Sequence, residues 1–312
     1  MTVEDKLATV GDEKLRRLGT YASVGVATLL IVAKLIAYLM TDSVAMMSSL
    51  LDSTVDLIAS LVTVYGVAQA LQPPDREHRF GHGKAEPLSA LAQAAFIVGS
   101  LVLLIYEALN RLYHPHSLNN QSLAYGVMAF SIVMTIFLIA FQRYVIRRTS
   151  SIAIGADSLH YLGDLAVNIA VVASFVLYEV TGLYWLDPVF AIAIAVGLGY
   201  SAFHIAQHAL KVLMDQELPD EQRNKIKSIV KAMPKVQGLH DLRTRTDGDR
   251  IFIEFHLELD GEMTLRAAHM IDDAIMHAIK KEFPNSDVLI HQDPEGLDEV
   301  RLDEKIARVE GA

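Results

Sequence analysis

Ser43-Val-Ala-Met-Met-Ser-Ser-Leu-Leu-Asp52-Ser-Thr-Val-Asp56-Leu57 and Ser151-Ile-Ala-Ile-Gly-Ala-Asp157-Ser-Leu-His160-Tyr-Leu-Gly-Asp164-Leu165 are the stretches whose reading decides the fold. Each is apolar overall, and each carries two ionisable side chains four residues apart: Asp52 with Asp56, and His160 with Asp164. That spacing puts both members of a pair on one helix face. A charge at bilayer depth costs roughly 2.5–3.5 kcal/mol, so Asp52, Asp56 and Asp164 together would cost roughly 8–10. Such residues persist where a partner, water or a metal compensates them. Carboxylates and one imidazole make a four-ligand set for a divalent metal.

Composition agrees with a membrane setting. Of 312 residues 52% are hydrophobic, and the mean hydropathy is +0.31, too apolar for an ordinary soluble chain. The net charge of −10 argues against nucleic acid as a partner. Much of the acidity lies in the last third, which reads as soluble. Cysteine is absent, which excludes disulfides and thiolate sites. A metal must then be held by His, Asp, Glu or backbone, a set suited to zinc, cadmium, ferrous iron or manganese. Residues 1–17 are polar and lack a cleavable-signal pattern.

Six apolar segments are predicted: Thr20–Met40, Val44–Leu71, Leu88–Leu112, Ser122–Ile146, Ser151–Tyr178 and Leu186–Leu210. Each meets the requirement of about 20 residues for a membrane helix. Basic residues fix the orientation. Lys14, Arg16 and Arg17 precede the first span, Arg76, Arg79 and Lys84 follow the second, and Arg143, Arg147 and Arg148 follow the fourth. The loops Thr41 to Ser43 and Glu179 to Trp185 hold no Lys or Arg. Both termini are therefore expected in the cytoplasm. Depth arithmetic then tests the two pairs. At about 1.5 Å per residue, Asp52 lies ~12 Å and Asp56 ~18 Å from the outer boundary. In a core of ~30 Å, His160 lies ~16 Å and Asp164 ~10 Å from it. The antiparallel spans bring Asp52 level with Asp164 and Asp56 level with His160, near the midplane. One site of four ligands is expected, the alternative being an interhelical hydrogen-bond network with no ion. Asp157, three residues before His160, reads as part of the route to that site, and Asn168 continues the polar stripe outward.

Other polar residues are weighed against blander readings. Asp75, His78 and His82 have the spacing of a three-ligand zinc site with an open position; taken alone they also read as a solvated charged loop. His114 and His116 read as loop residues, and His204 and His208 as an interfacial helix end. Lys84 and Asp215 lie just beyond the ends of spans three and six, where they would form a charge interlock, though surface pairs are usually weak.

The chain divides into an N-terminal segment 1–17, a membrane domain 18–213, a soluble domain 214–294 and a polar, mobile tail 295–312. In the soluble domain, Pro219 opens a helix with acids in its first turn. Leu239 to Thr246 reads as a strand, Asp247-Gly248-Asp249 as a turn, and Ile251 to Leu259 as a half-buried alternating strand. A helix from Thr264 ends before Pro284, and Ser286 to His291 is a third strand. The order αββαβ suggests a two-layer, ferredoxin-like α+β domain. It holds His240, His256, His269, His277 and His291, with Asp293 two residues beyond the last. His256 shares a strand face with Glu254 and Glu258. A second metal centre is expected there.

These residues resemble the cation diffusion facilitator family, closest to its bacterial zinc and ferrous-iron efflux members. The motifs are Ser49-Leu-Leu-Asp52-Ser-Thr-Val-Asp56, Phe80-Gly-His82-Gly-Lys84-Ala-Glu86, Leu159-His160-Tyr-Leu-Gly-Asp164, His240-Asp-Leu-Arg-Thr-Arg245 and Ile290-His291-Gln-Asp293-Pro294. The resemblance runs from about Leu18 to Pro294. It implies a homodimeric, proton-coupled metal exporter of the bacterial inner membrane, with six membrane helices and a cytoplasmic ferredoxin-like domain. It implies transport ligands Asp52, Asp56, His160 and Asp164 and a loop site at Asp75, His78 and His82. It also implies a cytoplasmic binuclear site from His240, His256, His269, His291 and Asp293, with Gln292 at its edge. His277 matches no ligand position. Zn2+ is the implied cargo and structural ion, with Cd2+ or Fe2+ as alternative cargo. Zinc-restricted relatives have His at the position of Asp52, so strict zinc selectivity is not implied.

A protease reading fails on spacing. His-Glu-x-x-His is absent, and the residues before Asp164 lack the first glycine of a Gly-x-Gly-Asp motif. A membrane-bound metal sensor without transport is the alternative function. It would need the soluble histidines but leave the matched membrane pairs unexplained.

Overall fold

The computed structural model describes residues 3–41, 44–113, 122–181, 185–297 and 300–310. Ser43, His114, His116 and part of the loop from Glu179 to Trp185 lie outside the described residues. Contacts divide the chain near Leu210 into an N-terminal helical unit and a C-terminal unit.

The N-terminal unit holds α1 (Val3–Thr41), α2 (Val44–Ala70), α3 (Ala85–Tyr113), α4 (Ser122–Thr149), α5 (Ile152–Thr181) and most of α6 (Leu186–Leu213). Five of these, α1 to α4 and α6, contain stretches long and apolar enough to cross a membrane. The sixth span is α5, equally long at 30 residues but carrying Asp157, His160 and Asp164. Lipid supplies no hydrophobic drive between helices, so close contact depends on small residues and interhelical hydrogen bonds. Ala90, Ala156 and Ala209 make one such contact. At Gly66 an added Cβ would lie 2.3 Å from Ser89 Cβ and 3.1 Å from the Ala85 carbonyl oxygen, so α2 and α3 cross only because residue 66 has no side chain. Leu39, Leu103 and Phe137 face outward with their side chains exposed, as lipid-facing residues do. At one end Arg16 lies 3.4 Å from Glu86 and donates to the Thr149 carbonyl at 3.0 Å, tying α1 to α3 and α4. Helix α1 begins at Val3, well before the apolar run, because its first turns are helical but polar.

In the C-terminal unit, α7 (Asp220–Lys231), β1 (Gly238–Thr246), β2 (Ile251–Leu259), α8 (Leu265–Glu282), β3 (Ser286–Pro294) and α9 (Leu302–Glu310) follow in order. The sheet order is β1-β2-β3, with β1 antiparallel and β3 parallel to β2. Alternation in β2 sends Ile253, Phe255, Leu257 and Leu259 to one face, where Ile226 and Val230 of α7 and Ala268, Ile275 and Ile279 of α8 close the core. Thr264 caps α8 by accepting from the Ala267 amide. Asp247 accepts from the amides of Asp249 and Arg250, and Gly248 takes φ 109° in the hairpin turn. The tail expected to be mobile instead contains α9, whose first amides reach the side chain of Asp241.

Candidate metal centres

In the helical unit, α2 and α5 bring Asp56 and His160 together. His160 Nε2 lies 3.0 Å from Asp56 Oδ1 and 3.9 Å from Asp164 Oδ2. Ligand atoms of the three side chains lie within 4.8 Å of one another. His160 is buried, and Asp56 and Asp164 are half-buried. Asp52, the fourth expected ligand, is outside this group among the described residues and has an exposed side chain. Its field still reaches Asp56, Lys34 and His160. Lys34 of α1 was not foreseen. Its Nζ donates to Ser53 Oγ at 2.6 Å and to the Ser49 carbonyl at 3.2 Å, on the same turns of α2 as Asp52. The signal available in the sequence was a lone lysine inside the first apolar run.

Asp157 does not line an access route. It is fully buried, and four donors saturate its carboxylate. Ser23 Oγ (2.5 Å) and Gln142 Nε2 (2.7 Å) donate to Oδ2; Gln93 Nε2 (2.9 Å) and Ser60 Oγ (3.3 Å) donate to Oδ1. Those donors come from α1, α4, α3 and α2, so one carboxylate on α5 draws five helices together. Tyr161 OH, 2.8 Å from Ser60 Oγ, extends the network.

The loop between α2 and α3 gathers its three residues as expected. Asp75 Oδ1 accepts the amides of His78 (2.6 Å) and Glu77 (2.9 Å), and Oδ2 lies 3.4 Å from His82 Nε2. The His78 amide above all, with the Glu77 amide and the two imidazoles, outweighs desolvation and holds the Asp75 carboxyl below the ordinary carboxylate range. His82 is mostly buried, and its Nδ1 has no hydrogen-bond partner among the described residues. A buried ring nitrogen without a partner, in a carboxylate–histidine group, fits a divalent cation.

In the C-terminal unit the register of the sheet makes the site. His240, His256 and His291 are paired laterally across β1, β2 and β3, on the face away from α7 and α8. Two residues along, Gly238, Glu258 and Asp293 form a parallel row. Asp293 Oδ2 is 2.7 Å from His256 Nδ1 and 3.6 Å from His240 Nε2, and Oδ1 is 3.2 Å from His291 Nε2. His240, His256 and Asp293 place ligand atoms within 4.8 Å of one another. His269 is on α8 with an exposed ring, 3.7 Å from Asp273, and is not in that cluster among the described residues. Gln292 donates to Asp272, whose carboxyl burial pushes above its ordinary range. His277, His204 and His208 are exposed, and the His204 ring rests edge-on against Tyr200. Asp215 lies 3.6 Å from Arg245 Nη1 within the C-terminal unit; its interlock with Lys84 stays an expectation.

Comparison with known proteins agrees along the chain. Residues 20–214 match the cation efflux transmembrane domain, and residues 218–295 match the cytoplasmic domain of cation efflux proteins. A cation-efflux pump FieF of Shewanella oneidensis is 44% identical over 278 residues, covering 89% of this chain and 94% of the relative. The pump of that name from Cronobacter sakazakii is 44% identical over 269 residues, covering 86% and 89%. The solved metal-bound C-terminal domain of the CzcD transporter from Thermotoga maritima is 31% identical, covering 25% of this chain and 93% of that domain with a TM-score of 0.25.

Proposed function

Since the chain belongs to the cation efflux family, and is a multi-pass transporter of metal cations rather than an enzyme, we propose that it exports zinc by alternating access in exchange for protons. Cadmium and ferrous iron, which the family resemblance implies as alternatives, are proposed as further cargo. The observation that carries this reading is a buried imidazole held between the carboxylates of Asp56 and Asp164. Metal ligands must be deprotonated, so cation and protons compete for the same atoms. Open to the cytoplasm, the site takes a cation as its protons leave; open outward, protons reload the ligands and the cation departs. His160 is the proposed proton carrier, because imidazole ordinarily titrates near neutral pH. Asp52, one turn from Asp56, is proposed to close on the ion as the fourth ligand.

The repeated Lys and Arg bias supports an inner-membrane placement with both termini cytoplasmic. The His240, His256, His291 and Asp293 cluster is proposed to bind a regulatory zinc ion, with His269 contributing at the same domain, and to draw two subunits of a homodimer together. Asp75, His78 and His82 are proposed as a cytoplasmic loop site.

Purified protein in sealed liposomes tests the central claim. Zinc flux should move protons in the opposite sense, respond to an imposed pH gradient and stop in Asp56→Ala. Flux indifferent to the gradient would remove the proton from the mechanism. Zinc binding without any flux would favour a sensor.

A further inference from the structure

The C-terminal metal cluster has a neighbour that its histidines do not explain. Glu258 lies on the same sheet face, one lateral row from His256. Its side chain folds along the strand over Gly238, where an added Cβ would lie 2.5 Å from Glu258 Oε2. The missing side chain at 238 therefore gives Glu258 its course towards His240. There Glu258 Oε1 sits 3.0 Å from His240 Nδ1 and 2.5 Å from Arg301 Nη2. Glu258 thus holds an imidazole of the metal cluster with one oxygen and a guanidinium from the tail with the same oxygen.

The tail is fastened beside this point. Asp241, the residue after His240, takes φ 52° where the pairing of β1 with β2 is interrupted by a bulge. Its carboxylate accepts the amides of Leu302 (2.8 Å) and Asp303 (2.9 Å), and Asp303 Oδ2 accepts the Asp241 amide at 3.1 Å. Helix α9 contributes no buried side chain among the described residues, and Val309 is 78% exposed. Leu302 alone of its apolar side chains is half-buried among the described residues, so its attachment depends largely on these polar contacts and the Arg301–Glu258 pair. Contacts of that kind open at low free-energy cost.

We propose that Glu258 positions His240 for the metal cluster by holding its second ring nitrogen, and that Arg301 with α9 is a latch on Glu258 which a divalent cation at the cluster loosens. The proposal rests on the reading of this sheet face as metal-binding. Glu258 Oε1 is shared by His240 Nδ1 and Arg301 Nη2, while His240 Nε2 faces Asp293. Arginine cannot shed its charge, so a doubly charged ion at Nε2 repels it and strengthens the Nδ1–H donor that competes for the same oxygen; both effects loosen Arg301. Its departure takes away one of the few anchors of α9, and any movement of His240 passes directly to Asp241, the other. Arg301 accordingly sets the zinc concentration at which the cluster fills, and α9 reports the filling to whatever meets the tail.

Hydrogen–deuterium exchange of the full-length protein in detergent, titrated with zinc and separately with magnesium, tests both parts. Zinc, but not magnesium, should increase exchange of the α9 amides by about tenfold or more while β2 around His256 becomes more protected. Arg301→Gln should shift the β2 midpoint to about tenfold lower zinc, Arg301→Lys should leave it near the parent value, and Glu258→Gln should raise it. If β2 responds to zinc and α9 keeps its protection, the latch is wrong and the metal site stands. If neither responds, the metal reading of this face falls as well. Equal shifts in the Gln and Lys variants would show lost packing in place of lost charge, and would overturn the coupling between Arg301 and the ion.

Discussion

Asp56 does two things that Asp52 does not. It supplies a carboxylate to the cluster, and it lies 3.0 Å from the buried nitrogen of His160. Loss of a group that orients a metal ligand typically costs 10–100-fold in affinity. Asp56→Ala should therefore weaken zinc binding about 100-fold or more, and Asp52→Ala about 10-fold, read from equilibrium zinc binding to the purified protein. Asp272 gives a second prediction. Burial raises its carboxyl above the ordinary value, against the opposing hydrogen bond from Gln292 and the charge of His269. The folded state then binds more protons than the unfolded one between the ordinary carboxylate pKa, about 3.9, and the raised value. Stability due to this group is greatest below that window and falls as pH rises through it. Asp272→Asn should flatten that slope and raise the melting temperature at neutral pH, measured by thermal unfolding across pH. The Asp56, His160 and Asp164 constellation was legible because helical spacing and bilayer depth are both arithmetic on the sequence. Asp157 was misread for a reason of the same kind. Spacing put it on the face of His160, but its four donors lie on other helices, 15 to 134 residues away, and no local pattern announces them. Lys34 was missed because a single cation in an apolar run does not say which neighbour it meets.

Helix packing supplies the predictions at the next scale. Gly66→Ala would drive a methyl group into Ser89 and the Ala85 carbonyl. Overpacking of this kind costs about 1–3 kcal/mol, and replacing Ser89 by Gly in the same chain should restore most of it. Thermal unfolding in micelles would show the rescue. Interhelical hydrogen bonds in membranes average about 0.6 kcal/mol and reach about 1.7, so Asp157→Ala, which removes four, should destabilise the bundle by roughly 2–7 kcal/mol. Asp157→Asn should cost less, because its carbonyl still accepts. The elements themselves were readable in differing degree. The alternation of Ile251 to Leu259 gave β2 its observed bounds, because period two in a half-buried strand has no competing explanation. The start of α1 and the presence of α9 were not readable from apolar runs. Both are polar helical segments, and α9 is positioned by the carboxylate of Asp241, far away in sequence.

At the scale of the molecule, the sheet cluster belongs to one unit and the Asp56 and Asp75 clusters to the other, which makes the contribution of the sheet cluster separable. His240→Ala with His256→Ala should remove zinc bound at the C-terminal sheet, counted by elemental analysis of the purified protein, and leave flux at saturating zinc within about twofold of the parent. A larger loss of flux would mean that the sheet site is required for each transport cycle. The division into an apolar helical part and an αββαβ part was visible in composition, since one needs lipid and the other alternates its faces. Which histidines meet across the sheet was not visible, because lateral register depends on the bulge between His240 and Arg243.

The shared carboxylate of Asp157 also bears on how the protein is made. Ser23, Ser60, Gln93 and Gln142 all precede Asp157 in the chain, so each enters the bilayer ahead of the acceptor they share. Until α5 arrives, those four helices lack the one carboxyl that receives a donor from each of them.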